Sequence, residues 1–374
     1  MFRILLLVSL LALCGSSSAQ VPATMSDQMS TEDHLKQPGW WPRKGDASRS
    51  DYVGPEKCAQ CHKSLAASQS RHSMAHTSAR AEDSEVLKQS DVEFKTGTYT
   101  YRITRKDHQE IYSVTDGTRN FSTPLVWAFG GGRRGQTYIY GQDRHMYESR
   151  ISFIRGLGFA ITPGQPEVVP DFATGRPIPE TDQVLCFGCH TTASRSNGRF
   201  DPSQLMHGVS CEGCHGPGSA HVSLAESGSE TPGLIFNPSH LPASQSVDFC
   251  GACHRTWWDV VGKYSDVGAI RFPAYRLEGS RCWQEGDARL TCIACHDPHQ
   301  PLVQDSAAYD DKCLACHQSR KETHNSSTRA AAQRCPVGTS ACATCHMAKY
   351  EIPGMHLTFT DHKIRIVHGK EFQE

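Results

Sequence analysis

Apolar residues change their spacing along the chain, and one long interval has the period of β-strands. Between residues 81 and 180, β-branched and aromatic residues alternate with polar ones in four runs, at 92–95, 98–104, 111–114 and 137–140. Alternation with a period of two is typical of strands that bury one face. Turn-forming residues such as Gly97 and Gly117 separate the runs. The pattern predicts a small antiparallel β module over 81–180.

A glycine-rich stretch inside this module has the spacing of a nucleotide-binding loop. Gly130, Gly132 and Gly135 match G-x-G-x-x-G. Such a loop must open a helix, whereas Gln136–Tyr140 has the composition of another strand. We therefore expect a glycine-rich hairpin here.

The N-terminal residues have the pattern of a secretory signal. Arg3 precedes the apolar run Ile4–Leu13, and small residues follow up to Ala19. We expect residues 1–19 to be removed and the mature chain to be exported, periplasmic or extracellular in a bacterium. A lipoprotein anchor at Cys14 is the alternative, but Leu13 stands where a small residue is needed. No later run approaches the roughly 20 apolar residues of a transmembrane segment.

A five-residue motif, Cys-x-x-Cys-His, occurs seven times, and no Cys-x-x-Cys lacks the histidine. This is the spacing of c-type haem attachment, in which two thiols bond the porphyrin and the histidine binds iron. The attachment cysteines of sites 1 to 7, in chain order, are Cys58 and Cys61, Cys186 and Cys189, Cys211 and Cys214, Cys250 and Cys253, Cys292 and Cys295, Cys313 and Cys316, and Cys342 and Cys345. The iron-binding histidines are His62, His190, His215, His254, His296, His317 and His346. The sequence predicts seven covalently attached haem c groups.

Two other classes of site use paired cysteines. Zinc sites combine one Cys-x-x-Cys with a second pair or with histidines, and they need no histidine directly after every pair. A thiol redox motif occurs once within a strand-helix-strand unit. Seven complete copies favour haem over both.

The motifs divide the chain unevenly. A polar segment, 20–50, is expected to be a flexible leader, and a first haem segment follows at 51–80. Beyond the β module, six sites lie in 181–374, with 16 to 37 residues between a motif histidine and the next cysteine. Such intervals are too short for independent cores. We expect a multihaem cytochrome c fold, mainly short α-helices and irregular loops around a stacked haem core.

Histidines outside the motifs are candidates for the second axial ligand of each iron. His299 is three residues from His296, so its side chain lies on the same side of that porphyrin and must serve a neighbouring haem or none. His207 and His221 flank site 3 and are subject to the same argument. The candidate distal ligands are His72, His207, His221, His299, His324, His356 and His362. His34 in the leader is expected to be exposed.

The remaining cysteines and the charge limit other features. Fourteen of the 17 cysteines lie in motifs and Cys14 in the signal, which leaves Cys282 and Cys335. We expect them to form a disulfide in an oxidising compartment, with two free thiols as the alternative. The 38 basic and 39 acidic residues nearly balance, which argues against a nucleic-acid partner.

Three segments carry a family resemblance: His207–His221, the stretch CIACHDPH at 292–299, and CHMAK followed by FTDHKIR. They resemble multihaem cytochromes of the cytochrome c-552/554 family, whose haem arrangement is related to hydroxylamine oxidoreductase and the pentahaem nitrite reductases. The resemblance implies haem pairs with predominantly bis-histidine iron. It places His207, His221, His299 and His362 where that family supplies distal ligands.

These observations leave three functional hypotheses. The first is an exported electron-transfer cytochrome that carries electrons along stacked haems between redox partner proteins or small donors and acceptors. The second is a reductase or oxidase of a small nitrogen or sulfur compound at one open-faced haem. The third is a subunit of a haem-wire assembly, as a homo-oligomer or with other cytochromes.

We expect the mature protein to be heavier than its polypeptide by seven haem groups, because each motif supplies both thiols for one porphyrin. Mass spectrometry of the intact exported protein checks this count. A colourless, normally folded protein that contains zinc would contradict it.

Overall fold

A ten-stranded antiparallel sheet occupies most of the interval between sites 1 and 2. The structure is a computed structural model that describes residues 29–89, 91–166, 173–229, 234–264, 267–284, 287, 289–317, 335, 337–367 and 372. The predicted signal, Cys14 and His324 lie outside the described residues. The strands of the sheet are β1 Ser78–Arg80, β2 Val92–Thr96, β3 Tyr99–Lys106, β4 Gln109–Thr115, β5 Asn120–Phe129, β6 Gly135–Gln142, β7 His145–Ser149, β8 Ile151–Ile154, β9 Gly158–Ile161 and β10 Gly175–Ile178. Their order is β10-β7-β6-β5-β4-β3-β2, with β1 beside β5, β8 beside β6 and β9 beside β8.

The predicted strands are confirmed as β2, β3, β4 and β6, but the expectation of a small module is wrong. The sheet also contains strands that alternation did not indicate. In β5, Trp127, Ala128 and Phe129 are all buried, so consecutive residues are covered on both faces and the period of two disappears. Alternation therefore carries no signal for this part of β5.

The glycine-rich stretch is the hairpin between β5 and β6, as predicted. Gly130 has φ +95°, and a Cβ there would lie 2.5 Å from the carbonyl oxygen of Gly135. Only glycine fits this approach of two backbones. The residues after it continue as a strand, so no helix N-terminus is present for a phosphate.

The rest of the described chain is built from short helices and two-stranded ladders. The longest helix has 12 residues, and no described helix is both long and apolar enough to cross a bilayer. The helices are α1 Thr31–Lys36, α2 Pro55–Ala59, α3 Lys63–Gln69, α4 Glu85–Lys88, α5 Glu180–His190, α6 Cys211–His215, α7 Ser219–Glu226, α8 Ala243–His254, α9 Trp257–Val260, α10 Pro273–Glu278, α11 Arg281–Gln284, α12 Cys292–Cys295, α13 Asp310–His317 and α14 Cys342–His346. The ladders pair β11 Thr191–Ala193 with β14 Met206–His207, β12 Arg195–Ser196 with β13 Arg199–Phe200, and β15 Lys349–Glu351 with β16 Thr358–Thr360.

The described part of the leader, 29–50, is packed against the body, which corrects the expectation of a flexible segment. Trp41 is 5% exposed and contacts Phe249 of α8 edge-on, with ring centroids 5.4 Å apart. His34 stacks on Trp41 at 3.9 Å and is therefore not the exposed histidine we expected. The polar composition of the leader predicted mobility, but Trp41 packs against Phe249, which lies about 200 residues away in the sequence.

The predicted disulfide is also wrong, because Cys282 and Cys335 are both free thiols. Cys282 is half-buried in α11 and interacts electrostatically with Cys316, whereas Cys335 is exposed. A disulfide forms only when the two Cβ atoms come close together in a specific geometry.

A buried ion pair ties the C-terminal segment to α10. Arg276 donates two hydrogen bonds of 2.8 Å to the Asp361 carboxylate, and the two side chains are 7% and 0% exposed. Burial alone would raise the pKa of Asp361, but its hydrogen bonds with Arg276 and Arg365 outweigh burial and lower it. The pair thus holds 358–367 in place.

We expect Asp361→Asn to destabilise the protein by about 3–5 kcal/mol, because Arg276 would remain buried without a counter-charge. The free energy of unfolding in denaturant measures the loss. In the parent protein this stabilisation should fade as pH drops through the lowered pKa of Asp361.

The matched control is Arg199→Gln, which removes an ion pair to Glu180 with both side chains about three-quarters exposed. It should cost no more than about 1 kcal/mol. Equal losses in the two variants would contradict the role assigned to Asp361.

Candidate haem-binding sites

Each motif starts on a short helix, which explains why two thiols and an imidazole can converge. Residues three and four apart in a helix share a face. In α6, Cys211, Cys214 and His215 are enclosed within one helix of 5 residues. The motifs of sites 2, 4, 6 and 7 end α5, α8, α13 and α14 in the same way. The local fold therefore presents the three groups that one covalent haem needs.

The helices that carry the motifs pack against one another, and the contacts do not follow chain order. Helix α2 of site 1 packs on α6 of site 3, α5 of site 2 packs on α8 of site 4, α8 packs on α12 of site 5, and α13 of site 6 packs on α14 of site 7. Cys214 of site 3 packs against the cluster that contains Phe249 and Ala252 of α8, and the His296 ring of site 5 lies edge-on to Tyr309, the residue before α13. The sites form the series 1-3-4-5-6-7, and site 2 branches from site 4.

Three motif histidines face a histidine from elsewhere in the chain. The ring centroids of His62 and His221 are 6.5 Å apart at 22° between planes. Those of His215 and His299 are 6.1 Å apart at 8°. Those of His296 and His362 are 6.3 Å apart at 43°. In each pair the second histidine comes from a different motif segment.

These separations are those expected for two ligands of one iron. An imidazole nitrogen binds a metal at about 2.0–2.1 Å, and the ring centre lies about 1.1 Å further back, so two rings on opposite faces are about 6.2 Å apart. The gaps at sites 1, 3 and 5 could therefore each hold one metal ion between two imidazoles. His299 faces His215 of site 3 and not the histidine of its own motif.

Hydrogen bonds orient several of these rings. The Nδ1 atoms of His190, His215, His346 and His362 lie 2.8 to 3.1 Å from the backbone carbonyl oxygens of Thr77, Phe236, Arg365 and Thr360. A carbonyl only accepts, so Nδ1 carries the proton in each ring. Nε2 is then the unprotonated nitrogen that can bind a metal.

Burial keeps the rings neutral. It lowers the pKa of His190, His215, His254 and His296, and it lowers that of His362 to about 4. A neutral imidazole is the form that binds iron.

The other candidate ligands are placed less uniformly. His72 is 9% exposed, its Nδ1 accepts the Met74 N–H at 3.0 Å, and it interacts electrostatically with His254. His207 lies beside site 2, since it pairs with Thr191 and its Nδ1 is 3.3 Å from the Ser78 hydroxyl. His356 is exposed, with φ +54°.

Sequence reasoning missed two groups that position the sites. The Phe129 ring of β5 stacks on His190 at 4.9 Å and 6°, so the sheet supports site 2. Glu212, between the two cysteines of site 3, is 1% exposed and accepts the N–H groups of Val53, Gly54 and Gly218 at 2.8 to 2.9 Å. It joins site 3 to the start of α2, which carries site 1. The sequence signal for this role was an acidic residue between the two cysteines of a motif.

Comparisons with known proteins agree with this geometry. The family model described as "Cytochrome c554 and c-prime" matches residues 173–216, and the one described as "Cytochrome c3" matches residues 285–355. The first segment contains sites 2 and 3, and the second contains sites 5 to 7. The chain is a multihaem c-type cytochrome. The resemblance drawn from the motif segments is thereby confirmed.

This cytochrome is 26% identical over 204 residues to the multiheme cytochrome MtrA of Shewanella baltica (strain OS185). The match covers 50% of this chain and 52% of the relative, so the chain spans about half the relative's length. Among solved structures, the crystal structure of the outer cell wall cytochrome OcwA matches with a TM-score of 0.34 and 18% identity, over 55% of this chain and 37% of the other. That similarity is too low to support an argument about this cytochrome.

We expect Glu212→Gln to destabilise the cytochrome by about 1–3 kcal/mol, because an amide replaces one carboxylate oxygen and leaves a buried backbone N–H without an acceptor. Chemical unfolding of the haem-loaded protein measures this.

Glu226→Gln is the control, since Glu226 is 63% exposed and only pairs with Lys57 at the surface. It should change stability by less than about 1 kcal/mol. A Glu212→Gln variant as stable as this control would show that the three hydrogen bonds do not join sites 1 and 3.

Proposed function

We propose that this cytochrome is an electron-transfer protein that carries seven haem c groups in one continuous array. The observation that supports this most is the unbroken series of packing contacts between the segments that carry neighbouring motifs. Electron transfer slows steeply with the distance between redox groups, so contact between attachment points favours rapid transfer. Haem iron, when bound, accepts and releases one electron.

The residues of the chain would fix the spacing of the array and the ligation of its irons. His221, His299 and His362 are the proposed second ligands of sites 1, 3 and 5, on the strength of their ring separations. His207 is proposed for site 2 because it pairs with Thr191, next to His190, and the buried His72 stays a candidate distal ligand without an assigned site. His324 and His356 are kept as candidates for sites 6 and 7.

The ends of the series are the proposed points of exchange with partners. Of the motif cysteines, Cys61 at site 1 and Cys345 at site 7 are exposed, whereas the other twelve are partly buried. Redox partner proteins or small donors and acceptors would reach these two ends most easily. Transient contacts are sufficient for such exchange.

Export and segment boundaries complete the proposal. Removal of residues 1–19 and a periplasmic or extracellular location follow from the pattern of the N-terminal residues. We retain the division into a leader, a first haem segment at 51–80, a β-rich part at 81–180 and a six-haem part at 181–374.

We expect His221→Ala, His299→Ala and His362→Ala each to convert one low-spin haem into a high-spin haem, because each removes one of two axial ligands. Electron paramagnetic resonance and magnetic circular dichroism count the two spin states.

His76→Ala is the matched control. His76 follows site 1 as His72 does, but its Nε2 donates to the Ser70 carbonyl at 2.8 Å and is not available to iron. Its spectrum should equal that of the parent. A high-spin haem already present in the parent would favour the reductase or oxidase hypothesis, and unchanged spectra in all three variants would refute the ligand assignments.

A further inference from the structure

Two carboxyl groups are buried on the packed helices α8 and α10. Asp248 of α8 is 1% exposed and Glu278 of α10 is 0% exposed. In the part of the chain that the structure describes, none of their four carboxyl oxygens has a hydrogen-bond partner. An ionised carboxylate in such a place carries a large desolvation cost. Their presence therefore needs a physical explanation.

The groups around this acid pair do not supply a counter-charge. Burial is the main cause that raises the pKa of Asp248, to about 7, and Asp259 of α9 raises it further. Burial likewise raises the pKa of Glu278, to about 9, and Asp248 adds to the effect. His34 of α1 approaches Asp248 at 4.0 Å, but burial lowers its pKa and favours the neutral ring.

Two carboxyl groups in this situation cannot both be ionised, so the pair holds at least one proton near neutral pH. This contrasts with Asp361, which is equally buried and is kept ionised by two arginines. The surroundings of the acid pair thus favour a protonated form, whereas those of Asp361 favour the ionised form.

The acid pair lies where site 4 meets site 5. Asp248 is two residues before Cys250, and Glu278 interacts electrostatically with Cys292. Helix α12, which carries Cys292, packs on α8, and Cys292 packs against the cluster that contains Val247 of α8 and Leu277 of α10. Any change of charge at either site is therefore felt by the two carboxyl groups through protein of low polarity.

We propose that Asp248 and Glu278 form a proton-binding site whose occupancy is coupled to electron transfer at sites 4 and 5. The inference rests on the proposed function, since it requires haem at both sites. When one electron arrives from a redox partner, one proton from solvent binds the ionised carboxylate of the pair. Oxidation releases the electron to the next site and the proton to solvent, so charge is balanced in both directions.

The experiment is a spectroelectrochemical titration of the full haem-loaded protein between about pH 5 and pH 9. If one proton binds with each electron, the midpoint potential falls by up to about 59 mV for each tenfold decrease in proton concentration, that is, for each unit rise in pH. We expect this slope in the parent for the haems of sites 4 and 5. Asp248→Asn and Glu278→Gln keep the side-chain shapes and should each reduce the slope at least twofold.

Glu180→Gln is the matched control, because Glu180 is also an acidic residue on a motif helix but is 75% exposed. Its slopes should equal those of the parent. Slopes that persist in both pair variants would assign the proton to haem propionates and overturn the proposal. The proposal would also be overturned if the potentials of the parent did not depend on pH. It would be overturned as well if metal analysis found a divalent cation that is lost in Asp248→Asn.

A stability measurement gives a second readout that does not depend on the potentials. Because the acid pair binds its proton more tightly in the folded protein than in the unfolded chain, stability should fall as pH rises above the ordinary carboxyl range. The two pair variants should lose less stability at alkaline pH than the parent. Mass spectrometry of the same samples separates the two proposals: haem missing from sites 4 and 5 refutes both, whereas haem present with unchanged pH profiles refutes only this one.

Discussion

Three histidine pairs, each with ring centres 6.1 to 6.5 Å apart, impose the constraint on which the cytochrome part of the structure depends. That gap admits one metal between two imidazoles, and it must be held by segments that are far apart in the chain. The short helices have little stability of their own at their length. Their positions are therefore determined by packing between segments and by a few buried polar contacts.

Those contacts connect sites out of chain order. Glu212 joins site 3 to the helix of site 1, and the ladder of β11 and β14 follows site 2 and precedes site 3. The large sheet enters the same framework, because Phe129 and the Thr77 carbonyl both contact His190. The sheet is thus a support for the branch site as well as a separate core of tyrosine and isoleucine side chains.

Buried charge has two different uses in this fold. Asp361 is surrounded by donors, so its ionised form stabilises the C-terminal segment against α10. Asp248 and Glu278 are buried without a hydrogen-bond donor among the described residues, and burial raises the pKa of both. The neighbouring groups thus favour the ionised form of an aspartate in one place and the protonated form in the other.

The sequence by itself determined the chemistry of the sites and part of the sheet. The thiols and histidine of each motif are local, since one helical turn brings them together, and β2 to β4 alternate because one of their faces is exposed. The tertiary structure alone decided which sites are neighbours, which distant histidine faces the motif histidines of sites 1, 3 and 5, and that the leader is packed. It also left Cys282 and Cys335 unpaired. The physical reason is that pairing across an iron, between thiols or between buried carboxyl groups depends on distances between segments of distant sequence, and residue spacing does not encode those distances.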